Sequence, residues 1–382
     1  MKKSIVIILF VFLAACNHKK DIPEILLNEF DIKVISSDNS APSINLDEDH
    51  LKEMLVLLHN NFSAEEIKKY FQLTDELYNE KINKLFGEGL VKKVDDRKFI
   101  PTCMVISIDE GKEIKKFADS LGREMSSIAI DRIAKIKEEY SKISSFKNFS
   151  FEETSLFVLG EVIHNHWQMN AIEERYIKSF PPHRGASRYY LSIQEVNAAA
   201  KTQPFGIYND KFVDYGGYVL GIYGNRKFEH DFMSQTNDDL VKYFGLNATD
   251  KITDLKKVLI EELVKQQRNP KYVVSKNHLN GFANLNFMKD GKITIPVVAK
   301  EDNKKLYGLA SIITNDLINY LERNRPMFVK MFLNSAYKDQ TSFREWFAWI
   351  YQFIISETVN QLIAKGYIKT PTSNNACFVL LK

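Results

Sequence analysis

Glu161 and His164 stand three residues apart in a segment, Ser150 to about Tyr176, whose apolar positions Leu156, Leu159, Val162, Ile163 and Trp167 predict one long helix. On a regular α-helix residues i and i+3 share a face, and Glu-x-x-His is one half of a di-iron carboxylate site. Such a centre needs a second pair and two further carboxylates on facing helices, and no second pair falls on a comparable helix. Glu161 and His164 are therefore metal candidates only, and no metal or cofactor is assigned. His166, two residues beyond His164, is expected on the opposite side of that helix. His183 and Arg184 follow Pro181-Pro182 in a loop, where an imidazole and a guanidinium can grip an anion or simply cap a surface turn. The tyrosine- and glycine-rich stretch 205–224 offers either a stacking platform for sugars and peptides or ordinary strand packing. No phosphate-binding glycine loop, nucleophile-elbow serine, HExxH or CxxC is present, so no catalytic residue is assigned and the balance leans away from an enzyme.

The elements that must position these residues begin after a leader. Met1-Lys2-Lys3 is basic, Ile5 to Leu13 is an unbroken apolar run, and Ala14-Ala15-Cys16 follows. This is the layout of a secretory signal peptide, too short to span a membrane. Leu13-Ala14-Ala15-Cys16 resembles the lipobox of bacterial lipoproteins. That resemblance implies cleavage before Cys16, acylation of its thiol, and a lipid anchor in the cell envelope. Asn17 in place of the aspartate that retains lipoproteins in the inner membrane implies release to the outer membrane where there are two. The processed chain would hold 367 residues, with its net charge lowered from +3 to +1 by loss of Lys2 and Lys3. Cys103 and Cys377 remain, each in an apolar strand, as two buried thiols or as a disulfide if the ends of the chain meet.

Residues 16–46 read as a tether with short apolar islands. Over 47–107 the periodicity predicts three helices and a hairpin: Leu51, Leu55 and Leu58 in the first, a capping box of Ser63 and Glu66 opening the second, Thr74 capping the third, then strands 90–94 and 98–106. The "FSAEEIKKYFQL" segment and the "LFGEGLVKKV" exit resemble the winged helix-turn-helix family, which usually places its third helix in a DNA groove. Here that unit carries nine Lys and Arg against twelve Asp and Glu. Affinity for DNA rests on neutralising phosphates, so an acidic module is expected to contact protein, not nucleic acid.

Residues 108–180 are expected as long helices. The stripe Ile114, Phe117, Leu121, Met125 and Ile128 slips before Ile133, Ile136 and Tyr140, and over 112–145 it can pack on its own domain or seat a second copy. Residues 181–300 read as a mixed α/β region, with a hairpin turning at Asp290-Gly291. Residues 301–382 read as helical, with a turn near Arg325-Pro326 and a terminal hairpin of Tyr367-Ile368 with Ala376 to Leu381. The parallel of "LIAKGYIKTP" with "LFGEGLVKKV" would make this region a second winged-helix-like unit. With 45% apolar and 12% aromatic residues, the composition excludes a disordered chain, and three cysteines exclude a disulfide scaffold. The expected fold class is α+β. The expected function is a lipid-anchored envelope protein that binds or assembles a protein or glycan partner. The alternatives are an envelope hydrolase or sugar-acting enzyme with its site in 160–224, and a cytoplasmic DNA-binding regulator with a false lipobox.

Overall fold

A computed structural model describes residues 20–36, 40–95, 98–196, 207–225, 232–233, 235–247, 249–269, 271–369 and 376–382. The leader and Cys16 lie outside them. The fold is mixed α+β.

The expected tether already carries two elements. Helix α1 (Ile22–Leu26), with Pro23 in its first turn, buries Ile22 and Ile25, and strand β1 (Glu29–Ile35) follows. Helix α2 (Leu51–His59) is nearly all apolar and is buried almost all round. Helix α3 (Ala64–Phe71) starts at the capping box, Glu66 N–H donating to Ser63 Oγ and Ser63 N–H to Glu66 Oε2. Helix α4 (Asp75–Gly87) is capped by Thr74 and stops where Gly89 takes a φ of +76°. Strands β2 (Val91–Asp95) and β3 (Lys98–Pro101) form the hairpin. The second expected strand, 98–106, is split: Thr102 N–H donates back to the Leu90 carbonyl, and β4 (Met104–Ile106) leaves for another sheet. A second capping box, Ser107 with Glu110, opens α5 (Ile108–Asp131), and the chain breaks at Arg132 before α6 (Ile133–Tyr140), where the apolar stripe slips.

The segment expected as one helix from 150 to 176 is not one. Ser150 and Glu153 do form their reciprocal bonds. A π-helical stretch Leu156–Val162 follows, the chain turns at 163–165, and α7 (His166–Ile172) starts afresh before a second π-helical turn, Glu173–Ile177. Beyond it come the small hairpin β5 (His183–Arg184) and β6 (Ser187–Arg188), then β7 (Tyr190–Val196), β8 (Asn209–Asp214) and β9 (Tyr218–Gly224). Helices α8 (Asn237–Phe244), α9 (Ile252–Arg268) and α10 (Lys276–Asn284) lead to the hairpin β10 (Met288–Lys289) and β11 (Lys292–Ile293). Asp290 and Gly291 both have positive φ in that turn, as a two-residue hairpin loop requires. Strand β12 (Val297–Val298), the helices α11 (Lys300–Asn334) and α12 (Phe343–Ala364), and β13 (Cys377–Leu381) complete the chain.

Two sheets flank a helical body, and strand alternation tells each side chain which way to face. One sheet runs β1-β7-β4. Tyr189, Leu191, Ile193, Cys103 and Val105 point to a core shared with α1 to α4, whereas Tyr190, Met104 and Ile106 point into the body. The other sheet runs β12-β13-β9-β8. Leu220, Cys377 and Val379 face the core under α8 to α10, while Tyr223 and Phe378 face the body. At the centre lies α12, apolar all round and buried from Glu345 to Val359. Cys103 and Cys377 thus belong to different cores, and no disulfide joins them.

Two more expectations are corrected. The turn near Arg325-Pro326 does not form: α11 runs through Pro326, because Leu317, Leu321 and Phe328 on either side are buried in the body and hold the helix across the missing donor. The terminal hairpin does not form: β13 pairs antiparallel with β9 and parallel with β12, and the described residues 365–369 are turn and coil. In the stripe of α5, Leu121 and Met125 are buried within the chain and Ile114, Phe117 and Ile128 partly so, with Gly122 directly against α12, which is the packing of this helix on its own body. Among the described residues no helix is long and apolar enough to cross a membrane.

Candidate functional site

A small cleft opens where the body meets the edge of the second sheet. Its walls come from the end of β1 (Ile35 and Ser36), from α7 and the turn after it (His166, Met169, Asn170, Glu173), from Asp210 on β8 and from Tyr307 on α11. The placement of each follows from local structure. His166, Asn170 and Glu173 stand at i, i+4 and i+7, on one face of α7 and its continuation. Asp210 and Phe212 are on the body-facing side of β8, two residues apart, and the Phe212 ring sits 4.5 Å from the His166 ring. Glu161 arrives from below on the π-helical stretch, whose extra residue per turn is seen in the Ile163 N–H donating to the Val158 carbonyl.

Glu161, His166 and Asp210 each direct a ligand atom to one point, all within 4.8 Å of one another. His166 Nδ1 is 3.9 Å from Asp210 Oδ2. Asn165 ties the carboxylates together: its Nδ2 donates to Glu161 Oε2 and to Asp210 Oδ2, each at 3.1 Å. The amide is itself oriented by Gln352 of α12, whose Nε2 donates to Asn165 Oδ1 at 3.1 Å, and the Gln352 carbonyl accepts from the Tyr208 N–H at 3.3 Å. Glu161 is fully buried, and its Oε1 has no hydrogen-bond partner. Among the described residues no lysine or arginine pairs with Glu161 or Asp210. Burial, reinforced by the Asp210 charge, pushes the Glu161 carboxyl well above its usual range, and burial raises Asp210 to about 6. Burial lowers His166 to about 4, so the imidazole is neutral at pH 7 with a ring nitrogen able to bind.

The expected partner of Glu161 sits elsewhere. His164 is buried, with Nδ1 facing the Leu159 carbonyl and its own backbone carbonyl accepting from Tyr351 Oη at 2.8 Å. It is lowered to about 4 by burial, as a packed neutral residue. The i, i+3 argument presumed a regular α-helix, and here the helix is wound wider and breaks between the two positions. His166, expected on the far side, is the histidine that reaches Glu161. Asp210 was not anticipated. The available signal was the period-two placement of Tyr208, Asp210 and Phe212, an acid at an inward position of a strand.

His183 and Arg184 do not form an anion grip. His183 is exposed, while Arg184 is 2% exposed and is consumed by internal partners. Its guanidinium donates to Glu345 Oε2 at 2.7 Å, to the Gly89 carbonyl and Thr102 Oγ1 at 3.1 Å, and to the Thr102 carbonyl at 3.2 Å. In the 205–224 stretch, residues 205–206 lie outside the described residues. Tyr208, Tyr215 and Tyr223 are buried in the cores, as strand packing requires and a sugar platform does not.

Glu173, on the cleft wall, is 5% exposed, and burial raises it to about 7 from 4.5. The folded state therefore holds a proton that the unfolded chain releases, and stability falls as pH rises from about 4.5 to about 7. Glu173→Gln is expected to remove this contribution, worth up to about 3 kcal/mol. Urea unfolding at pH 5 and pH 7 checks it: relative to wild type the variant gains stability at the higher pH, and an unchanged difference would refute the assignment.

No protein-family model, curated protein or solved structure matches this chain.

Proposed function

We propose that this chain is a lipid-anchored cell-envelope protein that binds its ligand in the cleft of Glu161, His166 and Asp210, with no chemistry of its own. The observation that carries the reading is the sequence Leu13-Ala14-Ala15-Cys16 directly ahead of a folded body that starts at α1. Five residues separate Cys16 from Ile22, a reach of at most about 20 Å. A lipid on Cys16 would therefore hold the body against the membrane surface, not at the end of a long arm. The cleft supports binding of something small. It is narrow at its base, with about 30 Å³ between His166, Glu173 and Asp210, room for an ion with a water. The acidic unit of α2 to α4 with the β2–β3 hairpin, winged-helix-like in its order of elements, is the part we assign to contact with a protein partner.

Cys16→Ser tests the anchor. In cells the wild type is expected almost wholly in the membrane fraction and the variant almost wholly in the soluble one. An unchanged distribution would sink the reading.

A further inference from the structure

Glu161 is a carboxyl that has been taken out of water and given too little in return. Burying an ionised carboxylate is expensive unless it is paired or ligates a metal. Here Glu161 Oε2 receives one amide bond, Oε1 has no hydrogen-bond partner, and the acid beside it is Asp210. Two acids and an imidazole with their ligand atoms within 4.8 Å of one another, and no lysine or arginine of the described residues paired with them, leave a positive charge as the missing component. We infer that Glu161, His166 and Asp210 are the protein ligands of a divalent transition-metal cation.

The chemistry of the donors selects the class. Two carboxylate oxygens and one imidazole nitrogen suit Zn²⁺ or Mn²⁺, whereas Mg²⁺ and Ca²⁺ prefer oxygen ligands throughout. Three protein ligands are the number found where a fourth position is left to water or substrate, and two of the three, His166 and Asp210, line the cleft. The surroundings are those of a metal site as well. Ligands need outer partners to hold their orientation, and Asn165 bonds both carboxylates while Gln352 fixes Asn165. Ligand atoms around one tetrahedral ion stand roughly 3.4 Å apart, so a cation draws the three groups together from their present separations. His166 sits on the first turn of α7 with its ring against Trp167 and Phe212.

This inference deepens the proposed function by naming the ligand of its cleft, and its test is separable from that of the anchor. Full-length protein is titrated calorimetrically with ZnCl₂ and with MnCl₂, and MgCl₂ serves as the contrast. The expected result is one Zn²⁺ or Mn²⁺ per chain with micromolar or tighter affinity and much weaker Mg²⁺. Glu161→Gln, Asp210→Asn and His166→Gln should each weaken binding by about 10- to 100-fold or more. Metal should also raise the thermal midpoint of the wild type but not of the variants. His166→Gln changes a partly exposed group and Glu161→Gln keeps the shape of the side chain, so both variants should fold, which circular dichroism verifies. Absence of Zn²⁺ and Mn²⁺ binding, or binding undiminished in all three variants, overturns the inference. A chain that binds no metal yet leaves the membrane with Cys16→Ser loses the metal site alone. One that binds metal but ignores Cys16→Ser loses the anchor alone.

Discussion

Arg184→Met is expected to destabilise the protein by about 3–5 kcal/mol. Arg184 and Glu345 face each other at 2.7 Å with side chains only 1% exposed. Glu345 cannot relax toward water when its partner is gone, because its Oε1 is already tied to the Leu191 N–H at 3.0 Å within β7. The guanidinium also donates to the carbonyls of Gly89 and Thr102; the Gly89 carbonyl keeps the Thr102 hydroxyl as a donor, whereas the Thr102 carbonyl loses its side-chain partner. These contacts join the unit of α2 to α4 to helix α12, so the loss should be felt as looser docking of that unit on the body. Arg184→Met with Glu345→Leu should cost much less than the single change, since the stranded charge is removed with its partner. Chemical denaturation of the wild type and the two variants decides the matter. A single-variant cost below about 1 kcal/mol would show that the pair is not holding the two parts together.

Gly122→Ala is the second large effect, and its sign opposes helix propensity. An added methyl in an exposed helix stabilises by about 0.5–1 kcal/mol. At Gly122 the Cβ would stand 2.7 Å from the Thr358 nitrogen and Glu357 Cβ and 2.8 Å from the Glu357 carbonyl carbon. These are mostly backbone atoms of a buried helix and cannot swing aside. Separation of α5 from α12 is the only relief, and it opens the central contact of the body. The expected cost is about 1–3 kcal/mol. Gly308→Ala on α11 is the control: its Cβ meets nothing within 4 Å, so propensity acts alone and the variant should be slightly more stable than wild type. If both substitutions stabilise, the close approach of α5 and α12 is wrong.

Interactions within a few residues were legible in the sequence. The capping boxes at Ser63, Ser107 and Ser150 rest on contacts three residues apart, though the one at Ser107 was not singled out. The turn at Asp290-Gly291 rests on two residues that tolerate positive φ. Each is decided by covalent neighbours, so reading along the chain suffices. Failures came where distant packing overrode a local signal. Pro326 is a helix breaker, yet the buried residues on both sides of it outweigh its missing bond. Residues 150–176 have the spacing of one helix, yet the chain widens and breaks to bring Glu161, Asn165 and His166 to one spot. Tyr367-Ile368 look able to form a strand, yet β13 finds better partners in β9 and β12.

By itself the sequence determined an α+β chain, its mixed helical and strand-bearing regions, and a segment with the layout of a lipoprotein leader. These depend on composition, periodicity and contiguous motifs. Only the tertiary structure decided which acid stands beside Glu161, which histidine reaches it, and that Arg184 is spent inside the molecule. Asp210 comes from a strand and Glu161 from a helix, and no spacing in the sequence links them. Their meeting is set by how the second sheet packs on the body, a property of the whole core.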